Sequence, residues 1–219
     1  EEVNLNLGCP SGTVVAKGKG SGFLADRKGL EEFLDTVCAS LDMKFSIKTR
    51  IGKEEPEEFQ KLIEIFNQYS LEMLIIHPRV QTDYYKNHPN LPVFAEALKK
   101  SKNPVCYNGD IFTADDLHKF TAEFPEVRDI MLGRGLVANP GLARELITGQ
   151  TIRKEELKLF HDAVYEEYSR LLSGDRNILF RMKELWAYMI PLFKDGDKIG
   201  KKIKKAEKQS VYETVVEEL

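Results

Sequence analysis

Val3-Asn4-Leu5-Asn6-Leu7-Gly8-Cys9-Pro10 is the stretch that decides how this chain is built. Its first five residues are β-rich, and Gly8-Cys9-Pro10 turns the chain sharply straight after them. The glycine-rich stretch Lys17-Gly18-Lys19-Gly20-Ser21-Gly22 follows. A thiol in that turn, beside the Asn6 amide, suits a proton donor or nucleophile at the mouth of a site. The plain alternative is a tight turn whose cysteine merely packs, because free cysteine behaves as a small buried hydrophobe. The glycines Gly18, Gly20 and Gly22 predict a mobile loop after it, able to close over a substrate.

Outward from this segment the same strand–helix unit repeats. Further β-rich segments lie at Lys44–Thr49, Met73–His77, Pro104–Tyr107 and Asp129–Leu132, and each is followed by helical periodicity. Leu30, Phe33, Leu34, Val37, Cys38 and Leu41 form one stripe, which predicts that Cys38 faces the core. Phe59, Leu62, Ile63 and Phe66 form the next, behind Pro56. Pro92 opens Val93–Lys100, and Thr113 with Asp116 reads as a helix cap before Leu117 and Phe120. Apolar runs such as Met73-Leu74-Ile75-Ile76 suit strands covered on both faces. Alternating β and α with such strands implies a parallel sheet, either doubly wound or part of a (β/α)₈ barrel. From about Thr151 the strands stop. Lys154–Leu172, Arg176–Phe193 and Ile199–Leu219 read as three helical segments. The expected organisation is an α/β domain over residues 1–150 and a small helical domain over 151–219.

Polar residues collect at the strand ends. Asn6 and Cys9 belong to the first, Lys48 and Arg50 to the second, and His77 and Arg79 to the third. Asn108, Gly109 and Asp110 follow the fourth, and Gly133-Arg134-Gly135 follows the fifth. Parallel α/β sheets build their sites at this end. Glycine-freed N–H groups beside an arginine hold phosphate, so the last two clusters suggest a phosphorylated cofactor. Lys48 and His77 would then lie near its ring system. Taken singly, Lys48 or Arg50 is also consistent with a solvated strand end, and Asn108-Gly109 with an ordinary turn. Cys106 sits in an apolar strand and reads as core, His118 reads as a helix-face residue, and His88 and His161 show no evident partner.

Composition narrows the class. With 42% hydrophobic and 31% charged residues, the 219-residue chain is of the globular kind and not disordered. A net charge of −3 gives no global attraction to polyanions, so any such binding needs a local patch. Lys194, Lys198, Lys201, Lys202, Lys204, Lys205 and Lys208 supply one, unless they are only a solvated helix face. Three cysteines, Cys9, Cys38 and Cys106, are too scattered for a zinc site or a disulfide scaffold, and no metal is expected. No apolar run approaches a membrane span, and a cytoplasmic location is expected.

In order and spacing, four elements resemble the tRNA-dihydrouridine synthase family: Asn6-Leu7-Gly8-Cys9-Pro10, Lys48-Thr49-Arg50-Ile51-Gly52, Asn108-Gly109-Asp110-Ile111 and Leu132-Gly133-Arg134-Gly135. Arg181-Met182-Lys183 with Trp186 and Tyr188 is similar to that family's C-terminal tRNA-binding domain. The resemblance implies a partial (β/α)₈ (TIM) barrel, carrying strands four to eight, followed by a helical tRNA-binding domain. It implies flavin mononucleotide (FMN) as cofactor, NADPH or NADH as reductant, and tRNA as substrate. Cys9 would then give a proton to uracil C5 as hydride from the reduced flavin reaches C6. Asn6 and Arg50 would position the uridine, Lys48 and His77 would contact the flavin ring, and Asn108, Gly109, Asp110, Gly133 and Arg134 would hold its phosphate. One departure is His77-Pro78-Arg79-Val80, where the family shows His-Gly-Arg-Thr. Two other readings stand beside this one: a flavin barrel reducing a free pyrimidine, and an RNA-binding piece without catalysis.

Overall fold

The five β-rich segments form one sheet, in a computed structural model that describes residues 1–218: β1 (Glu2–Leu7), β2 (Lys44–Arg50), β3 (Met73–His77), β4 (Val105–Tyr107) and β5 (Asp129–Ile130). Every pair is parallel, and the spatial order is the sequence order β1-β2-β3-β4-β5. A doubly wound sheet reverses its order at a switch point, whereas a barrel adds each strand beside the last. The constant order makes these five units part of a barrel. The last two strands are shorter than expected: Pro104 and Leu132 fall outside them, although Pro104 still accepts from the Leu74 amide at 2.8 Å.

Register separates the two faces of the sheet. Leu7 lies beside Thr49, Thr49 beside Ile76, and Ile76 beside Tyr107. These side chains point to the helix layer, where Phe94 packs edge-on to Tyr107 at 5.0 Å and Phe120 stacks on it at 3.9 Å. The opposite row is Asn6, Lys48, Ile75, Cys106 and Asp129. β3 up to Ile76 and β4 are apolar on both sides, as their runs suggested. β1 and β2 alternate, with Asn4, Asn6, Ser46, Lys48 and Arg50 on the second face, which in a closed barrel is the interior.

The helices are α1 (Gly12–Val15), α2 (Arg27–Ser40), α3 (Phe59–Phe66), α4 (Leu91–Lys100) and α5 (Ala114–Glu123), then α6 (Arg134–Ala138), α7 (Leu142–Thr148), α8 (Lys154–Leu171), α9 (Asp175–Met189), α10 (Gly196–Lys205) and α11 (Gln209–Glu217). The expected stripe of α3 is buried throughout, and Thr113 and Asp116 cap α5 reciprocally at 2.9 and 3.1 Å. The stripe of α2 is narrower than its spacing suggests. Leu30 and Leu34 are buried, but Cys38 is exposed, and so is Phe33 in the middle of the helix, so only a narrow line of the stripe meets the packed layer. The neighbouring side of α2 is polar: Tyr69 donates to Asp35 at 2.9 Å.

Two compact units divide the chain, one of Glu1–Asp110 with Phe120–Met131, the other of Ile111–Lys119 with the chain from Leu132 onward. Within the second, α6 packs against α9, and Leu157, Ile178, Met182, Trp186, Met189, Ile203 and Tyr212 share one core. The third expected helical segment is two helices, α10 and α11. Ala206 is extended and buried, its carbonyl accepting from Lys183 Nζ at 2.6 Å, and the chain turns there. Leu219, the end of that expected segment, lies outside the described residues. His161 does have partners: its Nε2 meets the Tyr212 hydroxyl at 2.5 Å and its Nδ1 meets Asp162 at 2.9 Å. Trp186 Nε1, a donor only, gives its proton to the same hydroxyl at 2.7 Å. The Asp162 carboxylate can only accept, so Nδ1 carries a proton, and a neutral imidazole then takes the Tyr212 hydroxyl proton at Nε2. No described helix is long and apolar enough to cross a membrane.

Candidate active site

At the C-terminal ends of β1–β3 the sheet register gathers four of the expected residues on one face. Asn6 lies opposite Lys48, and Arg50 opposite His77. Lys48 and Arg50 are two apart on β2 and so share a side. Lys48 is largely enclosed. Burial, reinforced by the Arg50 charge, draws its ammonium down to about 8. The Cys106 thiol opposes the shift, and Lys48 makes no ion pair with a carboxylate among the described residues.

The Cys9 turn is built from both of its sides. Asn6 Oδ1 accepts from the Gly8 amide at 2.9 Å, closing the turn after β1. Arg50, fully buried, reaches across from β2 and donates through Nε to the Gly8 carbonyl at 3.0 Å. Its other nitrogens donate to the Val80 and Tyr84 carbonyls, both at 2.8 Å, and the Tyr85 ring lies 5.4 Å from the guanidinium. Arg50 thus ties the Cys9 turn to the loop after β3, and it bonds the Tyr85 side chain as well. Cys9 itself is a half-buried free thiol. Its carbonyl accepts from the Ser21 amide at 3.0 Å and from the Ser21 hydroxyl at 2.8 Å. The following loop is structured, with α1 and a 3₁₀ turn over Gly20–Ala25. Gly20 is needed for fit and not for freedom. Its φ is +55°, and a Cβ there would stand 2.7 Å from the Cys9 carbonyl oxygen.

The loops after β3 and β4 are joined by a residue whose role the sequence left open. Arg79 is 1% exposed and clamps Asp110, Nη1 to Oδ1 at 2.8 Å and Nη2 to Oδ2. Its Nη1 also lies 3.1 Å from His77 Nε2, and its Nε donates to the Asn87 carbonyl at 2.6 Å. The Asp110 carboxylate is thereby neutralised, which leaves the neighbouring N–H groups usable by an anion. Gly109 has no room for a side chain, since a Cβ would stand 1.9 Å from the Tyr107 hydroxyl oxygen. Asn108 spends its amide N–H on the Met131 carbonyl at 2.8 Å. In the second unit, Gly133 is exposed with open space about it, and the Arg134 guanidinium lies 5.4 Å from the Phe112 ring.

Arg79 could have been read from the same two-residue alternation that linked Lys48 to Arg50. Tyr85, whose ring stacks on His77 at 6.1 Å, and Ser21 could not, because both reach the site through loop conformation. Cys106 is buried as expected, and burial pushes its thiol up to about 11.

A family model described as dihydrouridine synthase (Dus) matches residues 1–212. The chain belongs to the dihydrouridine synthase family. It is 31% identical over 150 residues to a tRNA-dihydrouridine(16) synthase of Pseudomonas syringae, covering 68% of this chain and 47% of that protein. It is 27% identical over 192 residues to a probable tRNA-dihydrouridine synthase of Helicobacter pylori, covering 85% and 57%. A tRNA-dihydrouridine synthase B of Shewanella oneidensis is 26% identical over 195 residues, covering 85% and 60%. The chain thus spans about half the length of the curated relatives it matches.

Proposed function

We propose that this Dus-family chain takes part in the reduction of uridine in tRNA to 5,6-dihydrouridine. The observation that carries the reading is the Cys9 thiol, set beside a sheet face that presents Asn6, Lys48 and His77. An enclosed ammonium that pairs with no carboxylate among the described residues fits FMN, whose reduced ring carries negative charge. The Gly109 turn, with Asp110 already neutralised by Arg79, fits its phosphate. Bound there, FMN would supply the hydride, renewed from NADPH or NADH.

The residues of this chain do the rest. Lys48 and His77 hold the ring, Lys48 opposing negative charge on it. Asn108, Gly109 and Asp110 hold the phosphate end. The assignment of Gly133 and Arg134 to the phosphate stays on the sequence pattern alone. Asn6 orients the base edge, while Arg50, fully buried and spent on backbone carbonyls, serves the uridine by fixing the turn that carries Cys9. Cys9 delivers its thiol proton to uracil C5 and recovers one from solvent. The helices of 151–219 serve the RNA, and the seven lysines between Lys194 and Lys208 are all exposed for phosphate contact.

In a complete enzyme, Cys9→Ala should leave flavin content and its reduction by the nicotinamide nucleotide intact and lower dihydrouridine formation by about 10²–10⁴. Unchanged tRNA reduction in that variant would remove Cys9 from the chemistry. Mapping dihydrouridine in tRNA from cells with and without the gene tests the reading as a whole.

A further inference from the structure

The exposed side of α9 carries an aromatic ring in cationic company. Phe180 is 66% exposed, although Ile178, Leu179 and Met182 beside it on the same helix are buried. Arg176, one turn earlier, is exposed and pairs with no carboxylate among the described residues. Arg181 lies with its guanidinium 5.8 Å from the Phe180 ring and is tied to Glu184 at 3.2 Å. A groove of about 650 Å³ runs beside the ring, bounded by Arg176, Asn177, Phe180, Lys183, Ala206 and Glu207. Its polar groups are partly spoken for. Lys183 donates to the Ala206 carbonyl, and Asn177 Nδ2 to the Ser173 carbonyl at 2.9 Å. The Asn177 carbonyl oxygen and the Glu207 carboxylate remain as acceptors, and Arg176 as an uncommitted cation.

We infer that this groove is a subsite for one unpaired nucleotide of the RNA, its base stacked on Phe180 and its phosphate on Arg176. A flat apolar ring open to solvent offers a stacking face to any base. A free guanidinium beside it matches a phosphate in charge and in forked geometry. The two acceptors belong to residues that line the same groove, and acceptors suit the N–H groups of a base edge. A protein partner would bury Phe180 as an apolar side chain of any shape and set a carboxylate on Arg176, so the Phe180→Leu variant separates it from a base. The inference rests on RNA being the partner, as proposed above, and adds where and how one nucleotide is held.

The test is an anisotropy titration of the whole chain with labelled tRNA and with a labelled single-stranded oligouridylate, at several salt concentrations. Phe180→Ala should weaken binding roughly 5- to 150-fold with an unchanged salt slope. Phe180→Tyr should keep the affinity of the parent, and Phe180→Leu, apolar but without a π face, should not. Arg176→Gln should weaken binding and flatten the slope of log affinity on log salt by about 0.7–0.9. The two-thirds exposure of Phe180 means that its variants should melt like the parent. Parental affinity in Phe180→Ala or in Phe180→Leu overturns the subsite and leaves the tRNA reading standing. A parent that binds no tRNA overturns that reading, and the subsite with it. If Phe180→Ala instead turns an oligomer into a monomer by light scattering, the surface joins copies of this chain and the subsite is wrong.

Discussion

Lys48 stands where its charge is costly, and that cost separates a functional lysine from a structural one. Enclosure draws its ammonium down to about 8, against about 10.4 in an unfolded chain. Between those values the unfolded state holds the extra proton, so stability rises with pH there; below about 8 the cost is borne in full. Lys48→Met keeps the stem and drops the charge. It should raise stability near pH 7 by roughly 1–3 kcal/mol, read from urea melts, while lowering flavin affinity. A variant that is less stable than the parent would make Lys48 a structural residue. Flavin affinity should also fall as pH rises past about 8, and Lys48→Arg should move that fall upward. Cys9 and Cys106 differ in the same physical terms. Cys106 is enclosed with a raised thiol and is unreactive at neutral pH, whereas Cys9 is half-buried in a turn that other residues hold.

Elements meet in this protein through a few charged or polar side chains, each bridging two segments far apart in sequence. Arg79 joins the loop after β3 to the loop after β4 through Asp110. Removing one partner strands a buried guanidinium, so Asp110→Ala should cost about 2–4 kcal/mol by denaturant unfolding. Arg79→Met combined with Asp110→Ala should recover part of that loss, and a double variant as unstable as the sum would refute the coupling. In the second unit, Tyr212 joins α11 to α8 and α9. Tyr212→Phe leaves the Trp186 N–H and a His161 nitrogen unpaired, at a cost of roughly 1–3 kcal/mol. Burial holds the His161 imidazolium below its ordinary range, with Asp162 opposing and Lys158 assisting. The unfolded chain takes up this proton first as pH falls through about 6.5, so the helical unit should lose stability below that pH. Melts of the parent and of Tyr212→Phe between pH 5 and pH 8 would show it, and a flat profile for the parent would exclude it.

On the scale of the whole molecule, the open question is the sheet. β1 and β5 each pair on one side only, and β1 and β2 turn polar side chains to the face away from the helices. Edge strands of this kind pair with other chains unless something covers them. Residues 1–219 expressed alone should therefore associate, or melt at low denaturant, and bind flavin weakly. Light scattering with visible absorbance would check this, and a yellow, monodisperse, cooperatively melting monomer would show that five units suffice.

Much of this was legible before any coordinates. The alternation of β-rich and helical segments placed five strands within a residue or two, because each strand is bounded by its own turn chemistry. Polar residues at strand ends marked Asn6, Lys48, Arg50 and His77, since a period of two residues fixes which share a face. Strand order was legible only through the motif resemblance: nothing in the β/α alternation separates a barrel's steady progression from a doubly wound sheet, and the pairing of β1 through β5 bore out the barrel. Nor were the long-range partners. Arg50 clasps carbonyls 30 to 42 residues away in sequence, and Tyr212 meets His161 across 51. Cys38 failed for the converse reason, because a stripe shows which side of a helix is apolar but not how wide a part of it the packed layer covers. Periodicity is written into neighbours along the chain. Which distant donor meets which carbonyl depends on how the packed elements approach one another, and that belongs to the tertiary structure.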